Sequence, residues 1–422
     1  MQLARYARSI KTKGPDDFEK KREMKIAISG AGVAGPAFAH WMMRVGHEVT
    51  LIEKAPTFRT GGYLIDFWGV GYAITQKMGI EDDLHAAGYR VRELHIVDDE
   101  GRASARLRVD PLRRAARDRY ISLPRGDLAE AIYRTVEHDI ETVYSESITA
   151  LDNRSDGVTV EFEHSQPRQF DMVIGADGLH SNVRALAFGP DARYERYLGC
   201  QVAACVLDGY RPRDDLVYVT HNVPDRQIGR FSLRGDRTLV LFIFRSPTPA
   251  LAPDLGSCKA LLRSEFADTG WESTRILDAL DGVDDIYFDV VSQIRIDRWS
   301  TGRVALIGDA AACVSLLAGE GTGLAIAEAY VLAGELGRAG EDIGAAFEAY
   351  ENRLREFIEA KQDGAQRLIS FFTPRTKLGI WLRDLAIRAF GIPPVGNLVV
   401  GRTLRDDIAL PEYELPEIKP RR

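Results

Sequence analysis

Three glycine-and-acid junctions, far apart in the chain, carry the residue types and spacings that could do chemistry. The first is GAGVAG, Gly30 to Gly35, set directly after the apolar run KIAISG and directly before a helical stretch. Gly30 permits a tight turn, Gly32 lets the backbone approach a pyrophosphate, and Gly35 lets the helix sit close to the strand. Ala31 and Ala34 complete this small-residue loop, and the helix amides behind it aim at anionic oxygens. Glu53 follows Gly30 by 23 residues, at the end of the second apolar run EVTLIE and beside Lys54. A carboxylate there can accept hydrogen bonds from an adenosine ribose and disfavours a 2′-phosphate. Strand, loop, helix and acid together point to a dinucleotide, FAD or NAD.

The second junction is FDMVIGADG, within which Asp177 follows a buried run, and the third is RVALIGDAA, which ends its run on Asp309. The three runs could share one parallel sheet. After the third, AGEGTG opens a long alanine-rich helix, so the amides of Gly321, Thr322 and Gly323 would form a positive helix end suited to an anionic ring edge. Arg125, in LPRGDL, is a planar cation able to grip phosphate oxygens with two hydrogen bonds. Asp66 in YLIDFWG and Arg59 just ahead of Gly61 and Gly62 are further polar candidates. Trp68, His221, Phe242 and Phe244 are candidates for an organic-substrate pocket, the two phenylalanines sharing a strand face by alternation.

The elements that must position these residues read as an α/β chain, a Rossmann-like dinucleotide-binding domain interleaved with a largely antiparallel sheet. The expected layout is an extension over 1–23, a first dinucleotide-binding part over 24–185 with inserted strands around 63–115, and a β-sheet substrate domain over 186–298. A second dinucleotide-binding part over 299–370 and a helical segment over 371–422 complete it. In that last segment Leu378, Trp381, Leu382 and Leu385 share one helical face, opposite Lys377, Asp384 and Arg388.

At 422 residues the chain is long enough for two coupled domains, and its hydrophobic share of 45% suits a globular enzyme. Its 55 basic against 62 acidic side chains give a net charge of −7, which argues against a nucleic-acid partner. Four scattered cysteines without a CxxC pair and eight histidines without HExxH leave no metal site to expect. Neither a Gly-x-Ser-x-Gly elbow nor a serine triad order is present, so no catalytic side chain is assigned. No apolar run spans a bilayer and the opening residues lack a secretory apolar stretch, so a cytoplasmic location is expected. A membrane-surface contact through the C-terminal helices is less favoured than a helical lid on the catalytic domain.

The ordered set of GAGVAG, LPRGDL, GADGLHSNVR and GRVALIGDAA, with IDFWG between the first two, resembles the para-hydroxybenzoate hydroxylase-like flavoprotein monooxygenases over about residues 24–370. The resemblance implies FAD held in an extended pose, with Arg125 at its phosphate and ribityl region, Asp309 on the ribityl hydroxyls and Asp177 between the flavin and nicotinamide paths. It implies NADPH or NADH as electron donor through a transient groove, O2 as co-substrate, and oxygen transfer from a flavin C4a-hydroperoxide to an aromatic or polyketide-like small molecule. Departures from the family pattern fall at Ala312, Leu316 and Glu320. The alternatives are a reductase or dehydrogenase on the same fold and a non-catalytic flavin-binding protein at a membrane surface.

Overall fold

The computed structural model describes residues 23–59, 62–211, 214–249, 254–390 and 408–413. Ile26, Ala27 and Ile28 are fully buried in β1 (Lys25–Ser29), the continuous apolar pattern of a parallel strand covered on both faces. The glycine loop turns the chain into α1 (Ala34–Arg44), and β2 (Glu48–Glu53) returns parallel to β1. Next come β3 (Leu64–Trp68), α2 (Gly69–Met78), α3 (Glu81–Ala87), β4 (Glu93–Val97), β5 (Ala103–Arg108) and α4 (Asp110–Ala115). β6 (Tyr120–Pro124) pairs antiparallel with β3, and α5 (Arg125–Tyr133) leads to β7 (Glu141–Tyr144). A small meander of β8 (Ile148–Asn153), β9 (Val158–Phe162) and β10 (Arg168–Phe170) runs into β11 (Met172–Gly175) and α6 (Asn182–Phe188).

The middle of the chain supplies β12 (Glu195–Asp208), β13 (Val217–Val223), β14 (Arg226–Leu233) and β15 (Arg237–Arg245), then α7 (Leu255–Phe266), α8 (Ser273–Ala279) and β16 (Tyr287–Ile294). β17 (Ser300–Thr301) and β18 (Val304–Leu306) rejoin the first sheet, followed by α9 (Asp309–Ala312), α10 (Gly321–Ala339), α11 (Ile343–Phe372) and α12 (Lys377–Phe390).

The first sheet has six strands in the order β17-β18-β11-β1-β2-β7. The three junction strands β1, β11 and β18 therefore lie side by side, all parallel, and their turns open on one edge of the sheet. The second sheet has seven strands in the order β16-β12-β15-β14-β13-β4-β5. It differs from the expected layout: β4 pairs in parallel with β13, so the strands inserted around 63–115 contribute β4 and β5 to the second sheet. Sequence order hides this, because a parallel partner need not be near in the chain.

α10 is buried along most of its length between α1 and α11. α11 continues from the first sheet to the second, where Ile369 packs with Cys200, Val202 and Ile243. Its last turn reaches Phe372, so the expected boundary near 371 falls inside a helix. α12 inverts the orientation expected of a packed lid. Arg383 and Asp384 are buried, bonded to each other and to Asn222 and Ser104, while Leu378, Trp381, Leu382 and Leu385 stand between 46% and 64% exposed. A polar pair satisfied on the sheet sets the helix rotation there. Residues 1–22 of the extension expected over 1–23, and the residues after Phe390 other than 408–413, lie outside the described residues.

Candidate functional site

The first glycine loop is dictated by close backbone approach. Gly30 has φ +107°, and a Cβ on it would sit 2.5 Å from the Ala176 carbonyl oxygen, so β1 and β11 can turn side by side only with glycine there. A Cβ on Gly35 would lie 2.1 Å from the Gly30 carbonyl oxygen, which is why α1 can start directly over the turn. Glu53 braces the loop from the next strand: its Oε2 accepts the Ala31 N–H at 2.9 Å and its Oε1 the Ala55 N–H at 2.8 Å. A carboxylate has lone pairs beyond those two, so Glu53 can still accept from a hydroxyl. No side chain caps the α1 N terminus at Val33, which leaves its first amides for an anion.

Arg125 faces this loop. It opens α5, its N–H is held by the Tyr63 carbonyl at 3.0 Å, and its Nη2 lies 3.9 Å from the position a Cβ on Gly32 would take. Burial works against the guanidinium charge, but Tyr63, Tyr287, Asp309 and Asp289 around it raise its pKa. Asp309 begins α9 after Gly308, which needs φ +63°. Burial pushes the Asp309 carboxyl above the usual range and the Arg125 charge pulls it back. Its Oδ1 lies 3.6 Å from where a Cβ on Gly321 would stand, so the third junction and the N terminus of α10 meet. These groups fit an extended dinucleotide: an uncapped helix end and a cation for phosphates, a carboxylate at each end for hydroxyls, and glycines where backbone must come close.

Glu328 supports the third junction from below. It is fully buried on α10 and accepts the Gly308 N–H at 2.6 Å and the Tyr350 hydroxyl at 3.0 Å. Burial pushes its carboxyl up to about 8, against those hydrogen bonds.

Asp177 has a different environment. Its carboxylate accepts from Ser29 at 3.3 Å, from the Val183 N–H at 3.1 Å and from the Ser181 hydroxyl, so it ties β1 to the start of α6. From α6 the fully buried Arg184 donates to Leu179 O at 2.6 Å and Ala310 O at 3.0 Å, clamping the second junction to the third. Cys313 is buried with its thiol toward the Ser292 carbonyl, and burial raises its pKa well above the usual thiol value, so it stays protonated.

A narrow cleft joins the flanks. Asp66, Phe67, Trp68 and Val70 line one side, and Gly319, Glu320, Gly323 and Leu324 line the other. A Cβ on Gly71 would come within 2.5 Å of the Gly323 Cα, so this approach needs glycine at the start of α2. Asp66 accepts the Ser122 hydroxyl at 2.5 Å, and Trp68 stacks with Tyr120 at 6.1 Å between centroids. Gly321, Thr322 and Gly323 form the first turn of α10, as the sequence reads. Glu320 is paired with Lys361 at 2.8 Å, so the departure from the family pattern carries its own counter-charge.

Five candidates stand elsewhere or at the margin. Phe242 and Phe244 pack on Phe266 of α7, at 5.1 and 5.9 Å between centroids, in the core beneath α7 and α8. The pocket assignment for them is corrected by one step of alternation: Leu241 and Ile243 point to the other face, with Leu316, Leu317 and Val291. Every position from Leu239 to Phe244 is apolar because both faces of β15 are covered, so alternation alone could not choose the face. His221 is also not a pocket donor; it is buried between β13 and β4, its ring nitrogens facing the carbonyls of Val97 at 3.1 Å and Thr269 at 2.6 Å. Lys54 and Arg59 are exposed after β2, and Gly61 lies outside the described residues. Sequence reading missed Tyr63, Tyr287 and Asp289 around Arg125, which no motif marks, and Arg184, which sits in GADGLHSNVR itself.

Among the described residues no helix is long and apolar enough to cross a membrane, and no cluster of His, Cys, Asp or Glu could hold a metal ion. The FAD binding domain family matches residues 23–364. An uncharacterised Mycobacterium tuberculosis protein is 36% identical over 340 residues, covering 80% of this chain and 91% of that one. A flavin-dependent monooxygenase of Legionella longbeachae is 32% identical, covering 93% and 99%. The crystal structure of tetracycline destructase Tet(55) matches with a TM-score of 0.78 at 31% identity, covering 93% and 99%. Klebsiella pneumoniae HpxO complexed with FAD shares the fold at 22% identity, with a TM-score of 0.75 and coverage of 90% and 98%. By the match over most of its length, this chain belongs to the FAD binding domain family of para-hydroxybenzoate hydroxylase-like flavoprotein monooxygenases, and FAD is its cofactor.

Proposed function

We propose that this enzyme hydroxylates an electron-rich aromatic or polyketide-like small molecule, taking electrons from NADPH or NADH and oxygen from O2. The observation that carries the reading is the cleft between Asp66–Trp68 and the α10 N terminus, whose first residue, Gly321, stands beside the Asp309 carboxylate. FAD, when bound, supplies electron transfer and oxygen activation. The chain's own residues bind, orient and shield.

The α1 amides and Arg125 hold the phosphates, Glu53 accepts from the adenosine ribose, and Asp309 accepts from the ribityl hydroxyls. Gly321, Thr322 and Gly323 present amides and a helix dipole to negative charge developing on the ring edge. The Glu320–Lys361 pair keeps a carboxylate at that edge from opposing this field. Phe67, Trp68 and Tyr120 form an apolar wall that excludes water, while Leu241 and Ile243 line the substrate side. The likeness to Tet(55) supports a polycyclic, oxygen-rich substrate class.

The test is oxygen uptake by purified holoenzyme with NADPH and, separately, NADH, across phenols, aromatic polyketides and antibiotic-like compounds. The expected result is substrate-stimulated uptake with heavy-isotope oxygen from labelled O2 in the product. Substrate conversion without oxygen uptake would replace this reading with a dehydrogenase.

A further inference from the structure

We propose that an arginine-lined cavity outside the flavin cleft binds a phosphomonoester. The cavity measures ≈ 340 Å³ and lies where β4 begins and β5 ends, roofed by α4. Arg90, Arg92, Arg108 and Arg113 line it against only two acids, Glu93 and Asp110, in a chain whose net charge is −7. Both acids are engaged inside the protein. Asp110 accepts from Arg113 at 3.2 Å and from Arg108 at 3.3 Å, and Glu93 is bonded to His95 at 2.6 Å. Arg92 donates to the Asp215 carbonyl at 2.9 Å, a neutral acceptor that leaves its charge in place. Four guanidinium groups less two carboxylates leave two positive charges facing one basin.

The basin is built rather than incidental. Arg113 is anchored by the Val91 carbonyl at 3.0 Å and by Asp110, and its Nε–H is buried with no acceptor in the protein. Leu216, also in the lining, holds φ +61°, a conformation that costs a branched residue, and its carbonyl accepts the Arg92 N–H at 2.8 Å. Glu93 and Arg108 are direct cross-strand partners, and the Val109 N–H donates to the Arg92 carbonyl at 2.9 Å, so the β4 and β5 arginines are fixed relative to each other. Uncompensated charge, an orphaned donor and backbone strain thus coincide at one place.

A phosphomonoester dianion matches this site in charge and in geometry. Its oxygens suit the planar forks of arginine, and two negative charges offset the excess that a single carboxylate would leave. On the inner side Val91, Val109 and Leu216 share one hydrophobic cluster with Tyr120 and Trp68, and Trp68 also lines the flavin cleft. Two sources supply this chemistry: the 2′-phosphate of NADPH, or a separate phosphorylated metabolite. Only the first rests on the proposed monooxygenase reading.

The experiment titrates holoenzyme calorimetrically at low salt with inorganic phosphate and with adenosine 2′,5′-bisphosphate, using acetate as control. Both phosphates bind the wild type. The exposed pair Arg92→Ala/Arg108→Ala weakens them about tenfold or more, and Arg92→Lys/Arg108→Lys retains part of the affinity as point charges. If the ligand is NADPH, its KM rises about tenfold in the alanine pair while that for NADH is unchanged. If the phosphate affinity falls and both KM values hold, the ligand is a separate phosphorylated metabolite. Absence of phosphate binding to the wild type, affinity no greater than for acetate, or equal affinity in the alanine pair overturns the site. The titration reads out even if no substrate is ever turned over.

Discussion

The two sheets organise polar groups in opposite ways. In the six-stranded sheet the chemistry stands at strand ends: Gly30 after β1, Glu53 closing β2, Asp177 after β11 and Asp309 after β18, all on one edge. In the seven-stranded sheet the relevant choice is between faces, with Phe242 and Phe244 turned to α7 and Leu241 and Ile243 turned to Val291, Leu316 and Leu317. A site at strand ends is fixed by turns and by close backbone approach, which demand particular residues. A site on a sheet face asks only for apolar side chains of suitable size, so it can vary without changing the fold.

Five substitutions would break or sharpen that contrast. The largest effect is expected for Phe242→Ala, which removes a fully buried ring from the core under α7 and should cost ~3–5 kcal/mol. Denaturant melts would show the loss while substrate KM stays the same in the protein that remains folded. A raised KM at unchanged stability would return Phe242 to the pocket.

Next is Glu328→Gln. Burial raises the Glu328 carboxyl to about 8 in the fold, so the native state keeps a proton that the unfolded chain releases near its ordinary value of 4.5. Stability from this group is therefore complete below 4.5 and is lost as pH rises through about 8, an effect on the order of a few kcal/mol. Glutamine keeps both hydrogen bonds and should flatten that slope in melts followed from pH 5 to 9; an unchanged slope would assign it to other groups.

Asp309→Ala and Arg125→Ala act on the strand-end site itself, and each should loosen FAD about ten- to a hundredfold, read as the dissociation constant of reconstituted apoprotein. Equal flavin affinity in either variant would remove that residue from the cradle. The smallest effect is expected for Trp381→Ser on the outward face of α12, 58% exposed, where stability should change by less than about 0.5 kcal/mol.

The same contrast governs how much the sequence could reveal. The strand-end site was legible because Gly30 and Gly35 have no substitute at contacts of 2.5 and 2.1 Å, and because Glu53 stands at a spacing set by one βαβ unit. Asp309 and the α10 loop were read from the family resemblance instead, since a Cβ on Gly321 or Gly323 would meet nothing nearer than 3.6 Å. Face assignments were not: β15 is apolar at every inner position, and His221 looks like a donor until β4 arrives alongside β13 and supplies the Val97 carbonyl. The ring of Tyr63, Tyr287 and Asp289 around Arg125 is assembled from three distant segments, a purely tertiary arrangement. For α12 the helical period was correct and the rotation was not, because the Arg383–Asp384 pair, bonded to Asn222 and Ser104, outweighed the apolar stripe in choosing the inner face.

α11 is one uninterrupted rod of 30 residues, about 45 Å long. Near one end Tyr350 is pinned to Leu306 and Glu328, midway Gln362 donates to the Ile294 carbonyl, and near the other end Ile369 is seated in the second sheet. A beam fastened at both abutments resists flexing, because folding it would snap successive carbonyl–amide links. Traffic of reactants and products must accordingly pass by yielding of loops and side chains, with no clamshell swing between the halves, and on heating the two halves should melt in a single calorimetric transition.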